Sequence, residues 1–168
     1  MDSDASDFCR VLHPKLVGAL ALHCGDRHLA EELAQETLAR VWERWATVRG
    51  LDAPAAWAFR VAFNLASSRF RRLAAERRAH RRAGVPAAVI PEVDRAEALA
   101  VREAVAALPE RQRAAVVLRY FADLPVAQVA EILGCEPGTV KSLTSHARAH
   151  LRRHLDIGAE DEEEREYA

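Results

Sequence analysis

The chain has 168 residues and a formal net charge of -1, and half of it is apolar, 29% charged and only 6% aromatic. That length can bury one sizeable core or two small helical ones. Apolar residues are interrupted by charges every three or four positions, almost without period-two alternation, which predicts an all-α chain and argues against a sheet protein. No segment approaches the length of a membrane span, and Met1 to Asp7 lacks the basic-then-apolar order of a secretory signal. A cytoplasmic protein with no direct membrane insertion is therefore expected. Cys9, Cys24 and Cys135 are an odd set that fits reduced thiols. Neither Cys9 with His13 nor His23 and Cys24 with His28 offers four metal ligands at a recognised spacing. With no glycine-rich phosphate loop and no nucleophile paired with a base, no catalytic residue, metal or cofactor is expected.

The near-neutral total conceals a segregation. Lys and Arg against Asp and Glu number 6 and 8 over residues 1–49, 8 and 2 over 50–83, 2 and 5 over 84–110, 7 and 3 over 111–155, and 1 and 7 over 156–168. Two basic blocks able to attract an anionic partner thus alternate with three acidic ones.

In chain order, a first helix is predicted near Phe8 to His23 and a second from Asp26 to Trp45, with Asp26 as its N-cap. The second sets a polar face of Glu32, Gln35 and Glu36 beside an apolar stripe of Leu29, Leu33, Leu38, Val41 and Trp42. A third runs from Pro54 to about Arg82. It opens on Trp57 and Phe59, carries Arg60 and Asn64, and continues through Ser68, Arg69, Arg71, Arg72, Arg77, Arg78, Arg81 and Arg82. A basic helix preceded by aromatics suits an opened DNA strand, which needs phosphate contacts and surfaces for unstacked bases. Trp57 reads equally well as a core residue. Gly84, Pro86 and Pro91 break the helix and predict a flexible linker at 83–94. Further helices are expected near Asp94 to Ala107, Pro109 to Ala122, Pro125 to Leu133 and Pro137 to Leu155. Residues 156–168, with the run Glu160 to Glu166, read as an acidic tail that either aids solubility or shields a basic surface.

The last two helices have the chemistry of a helix-turn-helix. Val126, Val129, Ala130 and Leu133 recur at helical spacing, Gly134 suits a left-handed turn, and Pro137 fits the first turn of a helix carrying Val140, Leu143, Ala147 and Leu151 inward. Thr139, Lys141, Ser142, Ser145 and His146 remain for a major groove. Cys135, in the turn, is expected to be a small buried residue.

Together, the helix Ala30 to Trp42, the segment Trp57-Ala58-Phe59-Arg60-Val61-Ala62-Phe63-Asn64-Leu65-Ala66, the arginines after it, and Leu108-Pro109-Glu110-Arg111-Gln112-Arg113 leading into the helix-turn-helix resemble the extracytoplasmic-function (ECF) sigma factors of bacterial RNA polymerase, in the sigma-70 family. The resemblance covers about residues 8 to 155. It implies two small helical domains: 8–82, like sigma region 2, and 95–155, like sigma region 4, joined by the linker 83–94. It further implies core polymerase binding through Glu32, Gln35 and Glu36, and minus-10 recognition and melting through Trp57, Arg60, Asn64, Ser68, Arg69, Arg71 and Arg72. Minus-35 recognition would fall to Thr139, Lys141, Ser142, Ser145, His146 and Arg148. The implied partners are the bacterial RNA polymerase core, promoter DNA and an anti-sigma factor. Departures from the family pattern are Phe63 and Ser68, where basic or polar and acidic residues are common, Leu143 and His146 in place of arginines, and Glu136 in place of a Ser or Thr cap. A stand-alone helix-turn-helix regulator and a sigma-like module that titrates an anti-sigma partner are the alternatives.

Overall fold

Leucines at every fourth position organise the first helix. Leu12, Leu16 and Leu20 lie along one face of α1 (Asp2–Cys24), and none is more than 4% exposed. The computed structural model describes residues 2–83 and 96–155, apart from the side chains of Asp2, Ala74, residues 77–83 and residues 96–99. The expected linker from Gly84 onward, with Pro86 and Pro91, and the acidic tail 156–168 lie outside the described residues. So do the side chains of Arg77, Arg78, Arg81 and Arg82.

Gly25 reverses the chain in the left-handed conformation (φ 71°), with its N–H donating to the Ala21 carbonyl at 2.9 Å. Asp26 then caps α2 (Arg27–Glu43) as its sequence position predicts, its Oδ1 accepting the Leu29 N–H at 3.1 Å. Helices α1 and α2 form the most extensive pair in the molecule. Ala30, Leu33, Ala34, Thr37 and Val41 face that contact, and the Thr37 hydroxyl donates to the Leu33 carbonyl at 2.7 Å, so its burial leaves no polar group unpaired. A short helix, α3 (Trp45–Val48), occupies the end of the predicted second helix and the start of the loop after it. Its Trp45 ring lies 5.1 Å from that of Phe8. Then α4 (Pro54–Ala83) buries Ala58, Phe59, Ala62, Phe63 and Ala66.

The second half comprises α5 (Ala96–Ala106), α6 (Glu110–Val116), α7 (Val126–Leu133) and α8 (Pro137–Leu155). The helix predicted from Pro109 to Ala122 is regular only to Val116. Over Val117–Phe121 it widens into a π-helical turn, in which the Ala122 N–H reaches the Val117 carbonyl at 3.0 Å. Asp123 follows at φ 54°, a left-handed position that Asp tolerates better than most side chains. Among the described residues there is no strand, and no helix is long and apolar enough to cross a membrane.

The two halves touch. Leu12, Leu16, Leu20, Phe59 and Phe63 belong to the same buried cluster as Val105, Val117, Leu118, Val129 and Val140. Leu108, Val116 and Ala147, with Leu151 beside them, make a smaller cluster under α8.

At the end of α1, His23 is 1% exposed, its ring centroid 4.8 Å from Phe63 and 5.4 Å from Phe70. Its Nδ1 has no hydrogen-bond partner. Burial, with a smaller push from the Arg113 charge, lowers its pKa from the ordinary 6.5 to about 4. The folded chain therefore holds this ring neutral at a pH where the unfolded chain protonates it. Stability from this site is complete above pH 6.5 and declines as the pH falls toward 4, by up to about 3 kcal/mol. Urea denaturation at pH 7 and pH 4.5 should show a smaller acid loss for His23→Leu than for the parent; equal losses would contradict this assignment.

Candidate nucleic-acid interface

The α7–α8 unit is closed by the turn its sequence predicts. Gly134 sits at φ 60°, ψ 46°, and the Cys135 N–H donates to the Ala130 carbonyl at 3.0 Å, ending α7. Pro137 occupies the first turn of α8, and Glu136 offers its backbone carbonyl to the Thr139 and Val140 N–H groups at 2.9 and 3.3 Å. The inward face of α8 differs by one position from the expected one. Val140, Thr144 and Ala147 are buried, while Leu143 and Leu151 are only half-buried. Thr144 can take an inner site because its hydroxyl donates to the Val140 and Lys141 carbonyls, each at 3.0 Å. Cys135 is half-buried rather than fully so.

Opposite that inner face, Thr139, Lys141, Ser142, Ser145, His146 and Arg148 are all exposed. At about 100° per residue they occupy one continuous arc of the helix. No acidic residue occurs anywhere in α8, and its last turn adds Arg152, Arg153 and His154. The positive potential of this surface therefore has no competing charge within the helix.

Helix α4 carries a second basic face. Arg60, Asn64, Ser68, Arg71 and Arg72 are exposed and lie on the side opposite Ala62 and Ala66, and Arg71 donates from Nη2 to the Ser68 hydroxyl at 3.1 Å. Trp57 begins this face half-buried, packed against the core along one side. Arg69 departs from the expected grouping. Though exposed, it falls on the continuation of the buried side and, with Arg71, lines a cleft between the halves that also holds Asp26, Glu32, Phe70, Glu110 and Arg113. Phe63 is 3% exposed against His23, so it belongs to the core and does not alter the strand-facing surface as its position in the motif suggests.

The acidic face lies on α2. Glu32, Gln35 and Glu36 are exposed together; Arg40 donates from Nη2 to Glu36 Oε1 at 2.7 Å, and His28 Nδ1 lies 3.3 Å from Glu32 Oε1. These pairs run along the helix surface and leave the carboxylates accessible. Trp42 is 49% exposed and does not complete the buried stripe. Two turns beyond Gln35, it extends the polar face with a large apolar surface. Counting 100° steps from Ala34 reveals this, because Trp42 falls well away from Val41 and the inner arc.

Cys9 and Cys24 belong to α1, which carries none of these faces. Burial first, then the neighbouring Asp26 carboxylate, pushes Cys24 up to about 12, and burial also raises Cys9. Both are unreactive thiols near neutral pH. No cluster of three or more His, Cys, Asp or Glu suited to a metal ion occurs among the described residues.

Comparison with known proteins covers both halves. The family model for Sigma-70 region 2 matches residues 9–76, and that for Sigma-70, region 4 matches residues 98–151. The chain is 35% identical over 136 residues to the ECF RNA polymerase sigma factor SigL of Mycobacterium tuberculosis, covering 76% of this chain and 75% of that protein. It is 32% identical over 149 residues to the RNA polymerase sigma-E factor of Streptomyces coelicolor, covering 82% and 80%. Its structure resembles that of the sigma factor RpoE of Bartonella quintana, solved in complex with the anti-sigma factor NepR. That likeness has a TM-score of 0.77 at 25% identity and covers 92% of this chain and 98% of the other.

Proposed function

Because the chain belongs to the extracytoplasmic-function sigma factors, and so is an initiation factor that acts with RNA polymerase on promoter DNA, we propose that its three exposed polar faces divide that work. The acidic face of α2, with Glu32, Gln35, Glu36 and the adjoining Trp42, docks on the polymerase core. The α4 face, with Trp57, Arg60, Asn64, Ser68, Arg71 and Arg72, receives the unpaired minus-10 strand, and Arg69 approaches it from the cleft side. The arc of α8, with Thr139, Lys141, Ser142, Ser145, His146 and Arg148, enters the minus-35 major groove. Domain limits follow the same division: 8–82 for docking and melting, 83–94 for the connection, 95–155 for upstream recognition.

The observation that carries this reading is the separation of two exposed basic faces, on α4 and α8, from one acidic face on α2. Duplex binding needs no more than the α8 face; the second basic face, on α4 beside Trp57, supplies the phosphate contacts and stacking surface that an opened strand calls for. The protein performs no catalysis of its own, uses no cofactor, and works in the cytoplasm with the polymerase. By likeness to the Bartonella complex, an anti-sigma factor is a further partner.

The decisive experiment is transcription by purified core polymerase on fragmented genomic DNA with and without this protein. New discrete start sites are expected only with it, and their absence would overturn the initiation role. The double variant Gln35→Ala, Glu36→Ala should bind core polymerase several-fold more weakly at unchanged helix content; parental affinity would remove this face from docking. Lys141→Ala should weaken duplex binding by about 1 kcal/mol and reduce the salt slope by about one counterion. An unchanged slope would take Lys141 off the phosphates.

A further inference from the structure

The exposed arc of α8 is a cationic face with no carboxylate of its own helix to answer it. Lys141 and Arg148 stand seven residues apart, close to two full turns, and so project along one stripe. Both are exposed, and neither has an ion-pair partner among the described residues. The helix as a whole holds four Lys and Arg, three His and no acidic residue. On the other helices the pattern differs: Arg10, Arg27 and Arg40 each meet a carboxylate one turn away on their own helix.

The charge that α8 lacks follows it directly in the chain. Residues 156–168 carry seven Asp and Glu against one Arg, and six of the seven fall within residues 160–166. Chain length lets the two meet. Lys141 precedes Leu155 by 14 residues, about 21 Å along a helix that rises 1.5 Å per residue. Glu162 follows Leu155 by seven residues, which an extended chain stretches to about 23 Å, and Glu166 reaches still further. The acidic run can therefore cover the arc from Arg148 back to Lys141.

Attachment through Leu155 holds these carboxylates near α8 at an effective concentration on the order of millimolar. The basic face of α4 lacks that covalent link to them. Pairs formed at an exposed surface are individually weak and screened by salt, so such a contact yields to a ligand of denser charge. Duplex DNA, with a phosphate charge about every 1.7 Å of its axis, is one.

We propose that the acidic run at residues 160–166 folds back on the stripe of Lys141 and Arg148 and competes there with duplex DNA, so that bare phosphate attraction is suppressed and a sequence that also offers base contacts displaces the run. This deepens the α8 reading above and rests on it. Specificity is gained by weakening the wrong complexes more than the right one.

The chain has two lysines, Lys15 on α1 and Lys141 on α8, and so carries its own control. Carbodiimide joins a carboxylate to an amine in direct contact. In the intact chain without DNA it should link residues 160–166 to Lys141 several-fold more often than to Lys15, as read by mass spectrometry of tryptic peptides, and saturating duplex should remove the Lys141 link. Absence of that link, or equal linking to Lys15, overturns the proposal. The variant with Glu160→Gln, Asp161→Asn, Glu162→Gln, Glu163→Gln, Glu164→Gln and Glu166→Gln should bind a mixed-sequence duplex about tenfold more tightly than the parent at about 50 mM salt, and within about twofold of it at about 300 mM. Equal affinities at the lower salt overturn the competition, whatever the cross-link shows. If Lys141→Ala leaves the affinity of this variant unchanged, the α8 reading fails and the competition falls with it, while the cross-link still decides where the acidic run lies.

Discussion

Helix α1 is packed from opposite sides at once. Leu12, Leu16 and Leu20 supply one wall of the core shared with α2 and α4, while Gly18, on the other side of the same helix, receives a ring from the second half. Tertiary packing of its faces supplies most of the stability of such a helix. Because both halves lean on it, their relative placement is a property of α1 more than of the chain that joins them. Its last turn concentrates this dependence: His23 fills the core with its ring and offers its carbonyl to Arg113.

Charge is arranged on the opposite principle, at the surface and by helix. One helix presents carboxylates and two present cations, so a net charge near zero coexists with strong local fields. The ion pairs that exist on α2 are exposed and local, and each contributes little to stability. Their effect is to hold side chains in place on a face that must meet a large partner. Burial holds the Cys24 and Cys9 thiols above their ordinary pKa, so both stay protonated near neutral pH.

Much of this was legible in the chain itself, and what was not has identifiable physical causes. Asp26, Gly134 and Pro137 act locally, through backbone geometry, and each stands where its chemistry requires. Trp42 was misplaced because an apolar residue at the edge of an amphipathic stripe satisfies a loose spacing rule from either side. Leu143 and Thr144 exchanged roles because back-bonding to the helix lets a threonine behave as a small apolar residue. Helix α3 and the π-helical turn were invisible, since nothing in periodicity distinguishes a helix that pauses or widens from one that continues. The burial of Ile132 depends on packing between the halves, which spacing within α7 cannot report. The exposed arcs of α4 and α8 were readable for the reason that the inner positions were: a helix with a defined inside has a defined outside.

The π-helical turn sets more than one ring. An i to i+5 bond accommodates one residue beyond what an α-helix would hold, so everything that follows is rotated by about 100° from its α-helical course. The Leu124 N–H closes the exit by reaching the Leu118 carbonyl, and α7 and α8 depart from there as a pair. The compass bearing of the recognition arc about the axis of α6 is thus written in residue count rather than residue type. A relative one residue shorter between Val117 and Phe121 could keep every base-facing side chain and still aim them at a different side of the duplex.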